Sequence, residues 1–313
     1  MLSKGPDPRR TGPLLFAMEA HQDNRHGLIL AVTAANLFSS KVLLVKLAYA
    51  QGAAPMQVLG LRMAAALPFF AAIALNELWR GKGQRPTSRD YLGMSCLGLV
   101  GYYLASTLDF HGIAYLTSSM ERLLLYLYPS FVVVIRSLVQ RTRPTGRELA
   151  ALGLAYLGLA MVYWDEHLTR SGDVLLGAAL VLGSSLSFAI YLYFSSHYVK
   201  KVGSRFFASY STSISCLAII LHSLLAGGEG AVPLNPGLIL IGLAIAIFCT
   251  VLPTLAMHKA VSLVGSARVA ILGTSGIVAP MVVGTLLFAE PLTPLRLLGT
   301  ALILASVVLL GRK

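Results

Sequence analysis

Charged residues and cysteine are scarce in this chain, and their scarcity limits the class of protein it can be. Only 12% of its 313 residues are charged, against about 25% in an ordinary soluble domain. The cysteines have neither metal-site spacing nor the pattern of a disulfide framework, so we interpret them as apolar packing residues. They are Cys96, Cys216 and Cys249. So little charge cannot give a soluble domain of this size a polar surface.

Motifs of enzymes are missing as well. The apolar segments contain no pair of histidines at helical spacing, no Walker loop and no pair of aspartates in adjacent segments. We therefore expect no catalytic residue, no metal site and no cofactor, and an intramembrane enzyme is a distant alternative. The loops are too short to hold a partner-binding domain, which argues against a scaffold or a receptor subunit.

Long apolar runs fill most of the chain. Hydrophobic residues make up 56% of the sequence, and they form ten stretches near the length at which a helix crosses about 30 Å of hydrocarbon. The sequence predicts an all-α membrane protein with ten transmembrane helices. The predicted spans are 27–48, 55–76, 91–110, 119–139, 148–164, 174–198, 206–225, 237–258, 266–288 and 292–310.

Basic residues are distributed unevenly between the two predicted faces of the membrane. With a cytoplasmic N-terminus, the outer loops carry only Arg170 and Arg296, as the positive-inside rule requires. We expect a bacterial-type inner (plasma) membrane protein with both termini cytoplasmic. The net charge of +12 then reflects contact with anionic lipid, and we expect no nucleic-acid partner.

The first residues lack the apolar core and cleavage site of a signal peptide. We expect residues 1–26 to form a disordered cytoplasmic tail. Met18 is followed by a polar lead-in to the first span, so translation from Met18 instead of Met1 is also compatible with the sequence.

An internal repeat divides the chain. Segment 101–145 aligns without a gap on segment 249–293, at an offset of about 148 residues. The sequence therefore predicts two repeats of five spans each, residues 27–165 and residues 174–311. Because five is odd, the second repeat enters from the opposite side of the membrane. Inverted repeats are typical of secondary transporters whose substrate site lies near the midplane.

Three stretches of the chain carry a family resemblance. They read NLFSSKVLLVKLAYAQG in the first span, GYYLASTLDFHGIAYLTSSMERLLLYLYPS in the third and fourth, and VGSARVAILGTSGIVAPMVVGTLLFAEPLT in the ninth. Together they resemble EamA-type members of the drug/metabolite transporter (DMT) superfamily, over residues 27–310. The resemblance implies a ten-helix carrier with a central cavity between two five-helix halves. The chain departs from the family pattern at Thr142, where the second repeat has Glu290, and at Ile277, where proline is usual.

Ionisable groups inside the spans are the first candidates for a substrate site, because their burial in lipid is costly. Lys41 and Arg62 lie at similar depth, roughly 10 Å from the same face. Together they form a potential cationic wall for a carboxylate or phosphate group. The alternative is that both snorkel to the interface, where we expect Lys46 to act as an anchor.

The fourth span opens with a second set of candidates. Glu121 is placed either to complement the helix dipole or to serve as a gate or proton-coupling group. Arg122 can reach headgroups or substrate, and Tyr126 lies on the same face. Tyr102 in the third span offers a choice between packing and substrate contact. We expect Asp109, at the end of that span, to be solvated.

We single out three of the prolines within spans as predicted kinks that can act as hinges, because proline removes a helical hydrogen bond. They are Pro129, Pro253 and Pro280. The ninth span is rich in small residues, which predicts close packing at the centre of the bundle. The hydroxyls of Thr274 and Ser275 add candidate substrate contacts there.

The sequence thus predicts a secondary transporter that exports or exchanges small organic metabolites, either amino acids or drug-like amphiphiles, by alternating access. The alternative is an exchanger of organic anions or phosphate compounds that uses Lys41, Arg62 and Arg122. Protons are the candidate coupling ion, with Glu121 as the first candidate site. The expected partners are a small-molecule substrate and the lipid bilayer, and the sequence is compatible with a homodimer.

Overall fold

The computed structural model describes residues 13–80, 86–169, 172–225, 232–264 and 272–311. Within these ranges the regular secondary structure is helical, without a strand. The first half contains α1 (Pro13–Ser39), α2 (Lys41–Ala50), α3 (Pro55–Arg80), α4 (Ser88–Gly98), α5 (Ala105–Ile113), α6 (Ser118–Leu125), α7 (Tyr128–Gln140) and α8 (Gly146–Thr169). A π-helical segment, Leu99–Leu104, joins α4 to α5.

The second half contains α9 (Val174–Val202), α10 (Ser204–Leu225), α11 (Pro236–Ala246), α12 (Leu252–Val264), α13 (Val278–Phe288) and α14 (Pro294–Gly311). A second π segment, Ile247–Val251, joins α11 to α12, and a 3-10 turn, Thr274–Ile277, precedes α13. The two π segments begin 148 residues apart, which is the offset of the sequence repeat.

Among the described residues, seven helical stretches are long and apolar enough to cross a membrane: Arg25–Ala50, Pro55–Arg80, Ser88–Ile113, Ser118–Gln140, Val174–Val202, Ser204–Leu225 and Pro236–Met257. Two shorter apolar helices cover Ser275–Phe288 and Pro294–Leu310. The predicted all-α membrane fold is therefore confirmed. α8 covers the predicted span 148–164 and continues through the charged residues Asp165 and Glu166. It is not among the seven candidate spans, so the count of ten spans stays a prediction.

The first helix differs from the prediction at its start. α1 begins at Pro13, so residues 13–26 are helical where we expected a disordered tail. Leu, Ala, Met and Glu, which are strong helix formers, fill most of residues 14–20 and account for the extension. Residues 1–12 lie outside the described ranges.

Helices of the first half pack mainly against helices of the second half. α8 contacts α14, α3 contacts α10, α1 contacts α12, and α5 contacts α9. In the repeat, α1 corresponds to α9 and α5 to α12. Exchanging the halves therefore turns the α1–α12 contact into the α9–α5 contact. The central core of the bundle is built from both halves, with Val42, Phe110, Cys216 and Ile245 among its buried residues.

Two glycines allow the close approach of α8 and α14. A Cβ added at Gly158 would lie 2.6 Å from the carbonyl oxygen of Gly299, and one added at Gly299 would lie 2.7 Å from that of Gly158. Real Cβ atoms do not come this close to backbone oxygens. The contact between these two helices therefore depends on the absence of side chains at both positions.

Candidate functional site

A buried group of charges lies where α2, α5 and α6 meet. Lys41, the first residue of α2, is 4% exposed, and its ammonium donates to the carboxylate of Asp109 in α5. The same ammonium is 3.5 Å from Oε1 of Glu121 in α6, which has no exposed surface. Charges buried this deeply are stable only when they are paired. Lys41 therefore lies between two carboxylates from different helices.

Arg122 extends this group toward the end of α1. Its Nε lies 3.1 Å from Oε2 of Glu121, and its Nη2 donates to the backbone carbonyl of Phe38 at 3.3 Å. Within the described ranges, neither carboxylate oxygen of Glu121 has a hydrogen bond of good geometry. Glu121 is therefore held between Lys41 and Arg122 by charge rather than by directional bonds.

Arg62 in α3 lies beside the same group. Its Nε donates to the hydroxyl of Thr250 at 3.0 Å, and Thr250 donates in turn to the carbonyl of Ile245. The guanidinium carbon and the Lys41 ammonium each lie 5.5 Å from the centroid of the Phe110 ring. Such cation–π contacts contribute about 0.5–2 kcal/mol each. The hydroxyl and the ring together fix the head of Arg62.

A second set of charges fixes the start of α6. Glu290, which follows α13, accepts hydrogen bonds from the backbone nitrogen of Ser118 at 2.8 Å and from its hydroxyl at 2.9 Å. Lys46 in α2 lies 2.7 Å from the same carboxylate and is thus an ion-pair partner rather than only an interfacial anchor. Ser118 begins α6, where the first N–H groups have no helical acceptor and the dipole favours an anion.

A third set holds the preceding residue. Glu166 in α8 accepts from the backbone nitrogen and from the hydroxyl of Thr117, each at 2.6 Å. Arg296 in α14 donates to Glu166 and to Asp165, each at 2.8 Å. The hydroxyl of Thr293 also donates to Asp165. Arg296 has no exposed surface, because its charge is enclosed by these two carboxylates.

The second and third sets meet at one dipeptide and form a unit that we call the latch: Lys46, Thr117, Ser118, Asp165, Glu166, Glu290 and Arg296. The latch joins the start of α6 to α2, α8, α14 and the segment after α13. Glu121 lies one helical turn deeper, about 5 Å away along α6. Charge-assisted hydrogen bonds of this kind are short and strong, so the latch can hold this end of the bundle closed.

The two tyrosines that we predicted as substrate contacts, Tyr102 and Tyr126, each have protein partners that indicate a packing role. Tyr102 lies edge-on to Tyr191, with ring centroids 5.1 Å apart, in an aromatic cluster that includes Phe207. The hydroxyl of Tyr126 donates to the carbonyl of Gly273 at 2.6 Å. This bond joins the break between α6 and α7 to the segment before α13.

The predicted hydroxyls of the ninth span lie near α1. Ser275 donates to the carbonyl of Leu272 at 2.7 Å, and its oxygen lies 3.4 Å from the side-chain amide of Asn36. The side chain of Thr274 lies outside the described part of the structure, as do residues 265–271.

Each predicted kink proline lies at or just after an irregular segment. Pro129 follows the break between α6 and α7, Pro253 follows the π segment before α12, and Pro280 follows the 3-10 turn before α13. Proline cannot donate a helical hydrogen bond, so the preceding turn rearranges. The π segment Leu99–Leu104 contains no proline and was not predicted. Hinge motion at the three prolines stays a prediction.

The partners of several span-end charges were not predicted from the sequence. We expected Asp109 to be solvated, and this expectation is wrong because its side chain is buried against Lys41. Arg296, which we assigned only to the outer side, is buried against Asp165. Asp165 and Glu166 were not singled out. One signal was available, because the predicted topology brings these residues to the same face of the membrane as Lys41.

Comparisons with known proteins agree on one family. A sequence model of the EamA-like transporter family matches residues 25–164 and again residues 175–312. The uncharacterized transporter YcbK of Bacillus subtilis (strain 168) is 28% identical over 283 residues, which are 87% of this chain and 88% of the relative. An uncharacterized transporter of Archaeoglobus fulgidus is 24% identical over 83% of this chain and 89% of its own length.

A third relative and a solved structure extend the match. The uncharacterized transporter sll1319 of Synechocystis is 23% identical over 92% of this chain and 94% of the relative. A crystal structure superposes with a TM-score of 0.58 over 90% of this chain and 95% of that chain, at 18% identity. At that identity the superposition shows a shared fold and nothing about the substrate.

Proposed function

Because the chain belongs to the EamA-like transporter family, we propose that it is a secondary transporter that exports or exchanges small organic metabolites, either amino acids or drug-like amphiphiles. The protein is a multi-pass membrane transporter of the drug/metabolite transporter superfamily. In the proposal, substrate crosses a bacterial-type inner membrane by alternating access, and both termini are cytoplasmic. The cycle contains no covalent step, so the protein is not an enzyme.

The buried charge group around Lys41 is the observation that carries this proposal. Lys41 follows the break between α1 and α2, and Thr250 lies in the π segment before α12. Many secondary transporters build a midplane site from interrupted helices and ionisable groups at the interface of two repeats. A bundle that required only stability gains little from buried ion pairs, because their desolvation offsets most of their attraction.

The packing of the helices supports a two-fold relation between the halves. The family model matches the chain twice, and the contacts of α1 with α12 and of α9 with α5 exchange when the halves are exchanged. With the predicted five spans in each half, that relation is a rotation about a two-fold axis in the membrane plane. Inverted halves can rock against each other around a fixed central site, which is the basis of alternating access.

The latch indicates which end of the helix bundle is closed. The positive-inside distribution predicts that the end of the bundle with Ser118 faces away from the cytoplasm. With the latch formed, that end is closed. Substrate release to the outside then requires the latch to open, and substrate entry takes place from the cytoplasmic side.

Counterflow in proteoliposomes tests the proposal. Vesicles containing the purified protein are loaded with one member of a panel of amino acids and amphiphiles, and uptake of the labelled compound is followed. We expect uptake above that of empty vesicles for at least one compound. The charge-neutral double variant Lys41→Met, Asp109→Asn should abolish uptake, whereas Arg205→Gln, which alters a side chain 57% exposed, should not. If no panel member moves under any imposed gradient, the proposal fails.

Glu121 is the candidate proton site of the cycle. It is a buried carboxylate whose oxygens lie beside Lys41 and Arg122 without good hydrogen bonds, so a proton can compete with either cation for it. Glu121→Gln should remove the dependence of flux on a pH gradient while substrate still binds. Flux through this variant that keeps its pH dependence would exclude Glu121 as the coupling residue.

A further inference from the structure

The buried charge group contains more positive than negative charge. Lys41, Arg62 and Arg122 are its cations, and Asp109 and Glu121 are its carboxylates. Lys41 contacts both carboxylates and Arg122 contacts Glu121. Within the described ranges, no carboxylate lies within ion-pair distance of Arg62. Among the described residues, Arg62 is therefore the cation of this group that has no carboxylate within ion-pair distance.

The head of Arg62 is nevertheless fixed in position. Thr250 accepts the Nε hydrogen at 3.0 Å, and the guanidinium lies against the ring of Phe110. These contacts use Nε and one face of the planar guanidinium. The two terminal nitrogens are left without a protein acceptor in the described part of the chain. Two parallel N–H donors on a planar group match the two oxygens of a carboxylate.

Lys41 and Arg122 are not equivalent to Arg62 in this respect. Both are engaged by protein carboxylates, so an incoming anion would have to displace Asp109 or Glu121 to reach them. A single excess charge also matches the single charge of a carboxylate better than a phosphate monoester, which carries about 1.5 to 2 negative charges at neutral pH.

We propose that Arg62, held by Thr250 and Phe110, anchors a carboxylate group of the transported substrate. This inference rests on the proposed transport function and narrows its substrate to compounds with a carboxylate, such as amino acids or organic acids. The substrate then supplies a further negative charge, and the loaded group is electrically neutral while Glu121 is ionised. Neutrality favours movement of the occupied carrier, because an uncompensated charge in the membrane interior is costly.

Binding to the purified wild-type protein provides the test. The probes are benzoate, 4-phenylbutyrate and L-leucine, each paired with its primary amide, together with phenyl phosphate. Affinity is measured by calorimetry and by the rise in melting temperature on addition of ligand. We expect at least one carboxylate to bind and its amide to bind about 10- to 100-fold more weakly, as expected for a lost charge-assisted hydrogen bond.

The variants separate anchoring from folding. Arg62→Gln should weaken carboxylate binding by a similar factor, and Arg62→Lys should weaken it less because the charge remains without the planar pair of donors. Thr250→Val, which frees the head of Arg62, should give an intermediate loss. Arg205→Gln serves as a surface control and should bind as the wild type does. Variants are compared only if their unliganded melting temperature shows a folded protein, and Arg62→Lys keeps the test decisive if Arg62→Gln does not fold.

Three results would overturn the inference: no carboxylate binds, amides or phenyl phosphate bind as well as the matched carboxylates, or Arg62→Gln binds carboxylates as tightly as the wild type. Transport of neutral or cationic solutes that is unaffected by Arg62→Gln would also overturn it and leave the transporter proposal intact. Conversely, carboxylate binding that depends on Arg62 without any counterflow would contradict the transport function but not the site.

Discussion

Lys41 lies between two buried carboxylates, so its loss should lower stability strongly. In Lys41→Met, Asp109 loses its ion-pair partner among the described residues and Glu121 keeps only Arg122. Leaving a buried charge without its partner costs about 3–5 kcal/mol. We expect a decrease of that size in the free energy of unfolding in detergent, measured by denaturant titration.

The double variant Lys41→Met, Asp109→Asn is the control for this prediction. It removes both members of the closest pair and leaves Glu121 with Arg122, so it should recover part of the lost stability. A double variant that is less stable than Lys41→Met alone would contradict the assignment of the cost to an unpaired carboxylate. The single variant Asp109→Asn completes the double-mutant cycle, which measures the coupling energy between the two side chains.

At the scale of elements, helix contacts depend on backbone approach as much as on charge. α8 and α14 meet at Gly158 and Gly299. Gly158→Ala should force the helices apart and lower the free energy of unfolding by about 1–3 kcal/mol, the cost of overpacking. Gly153→Ala, on the same helix with nothing within 4 Å of its added Cβ, is the matched control and should be neutral. Equal effects of the two variants on the melting temperature would contradict the close contact.

The start of α6 gives a second prediction at this scale. Glu290→Gln keeps an acceptor oxygen for Ser118 but loses the ion pair with Lys46, so the latch should open more often. In a background without the three native cysteines, Ser119→Cys reports on opening, because Ser119 is buried beside the latch. We expect a membrane-impermeant thiol reagent to label it about tenfold faster, which corresponds to about 1.4 kcal/mol.

The other end of the bundle supplies the control. Glu148 pairs with Arg136 at 2.9 Å, and Glu148→Gln should leave the labelling rate of position 119 unchanged. Acceleration by both variants would indicate general loosening of the bundle rather than release of the latch.

The hydrophobic pattern of the sequence was sufficient to predict the helices. It was not sufficient to predict which charged side chains pair between helices. The apolar length of the helices and the break before Pro129 follow from local chemistry, because apolar length and a missing N–H act within one helix. The bonds between Lys41 and Asp109 and between Arg296 and Asp165 join residues far apart in the chain. Such pairs depend on how the helices pack, and no local pattern specifies which of several charges will meet.

At the scale of the whole molecule, the transport proposal depends most on the orientation of the chain in the membrane. Alkaline phosphatase, which is active only outside the cytoplasm, should be active when fused after Thr169 and inactive when fused after Gly311. Green fluorescent protein, which fluoresces when folded in the cytoplasm, should give the reverse result. The same reporter activity at both positions would contradict an odd number of spans between Thr169 and Gly311.

The two carboxylates that hold the start of α6 come from different halves of the chain, Glu166 from the first and Glu290 from the second. If the contact of either carboxylate breaks, the other carboxylate still holds the start of α6. Opening of this end therefore requires both carboxylate contacts to break together. A small movement of one half leaves the other contact in place, and only a joint movement of both halves opens the pathway. Leakage of solute between turnovers should be correspondingly rare.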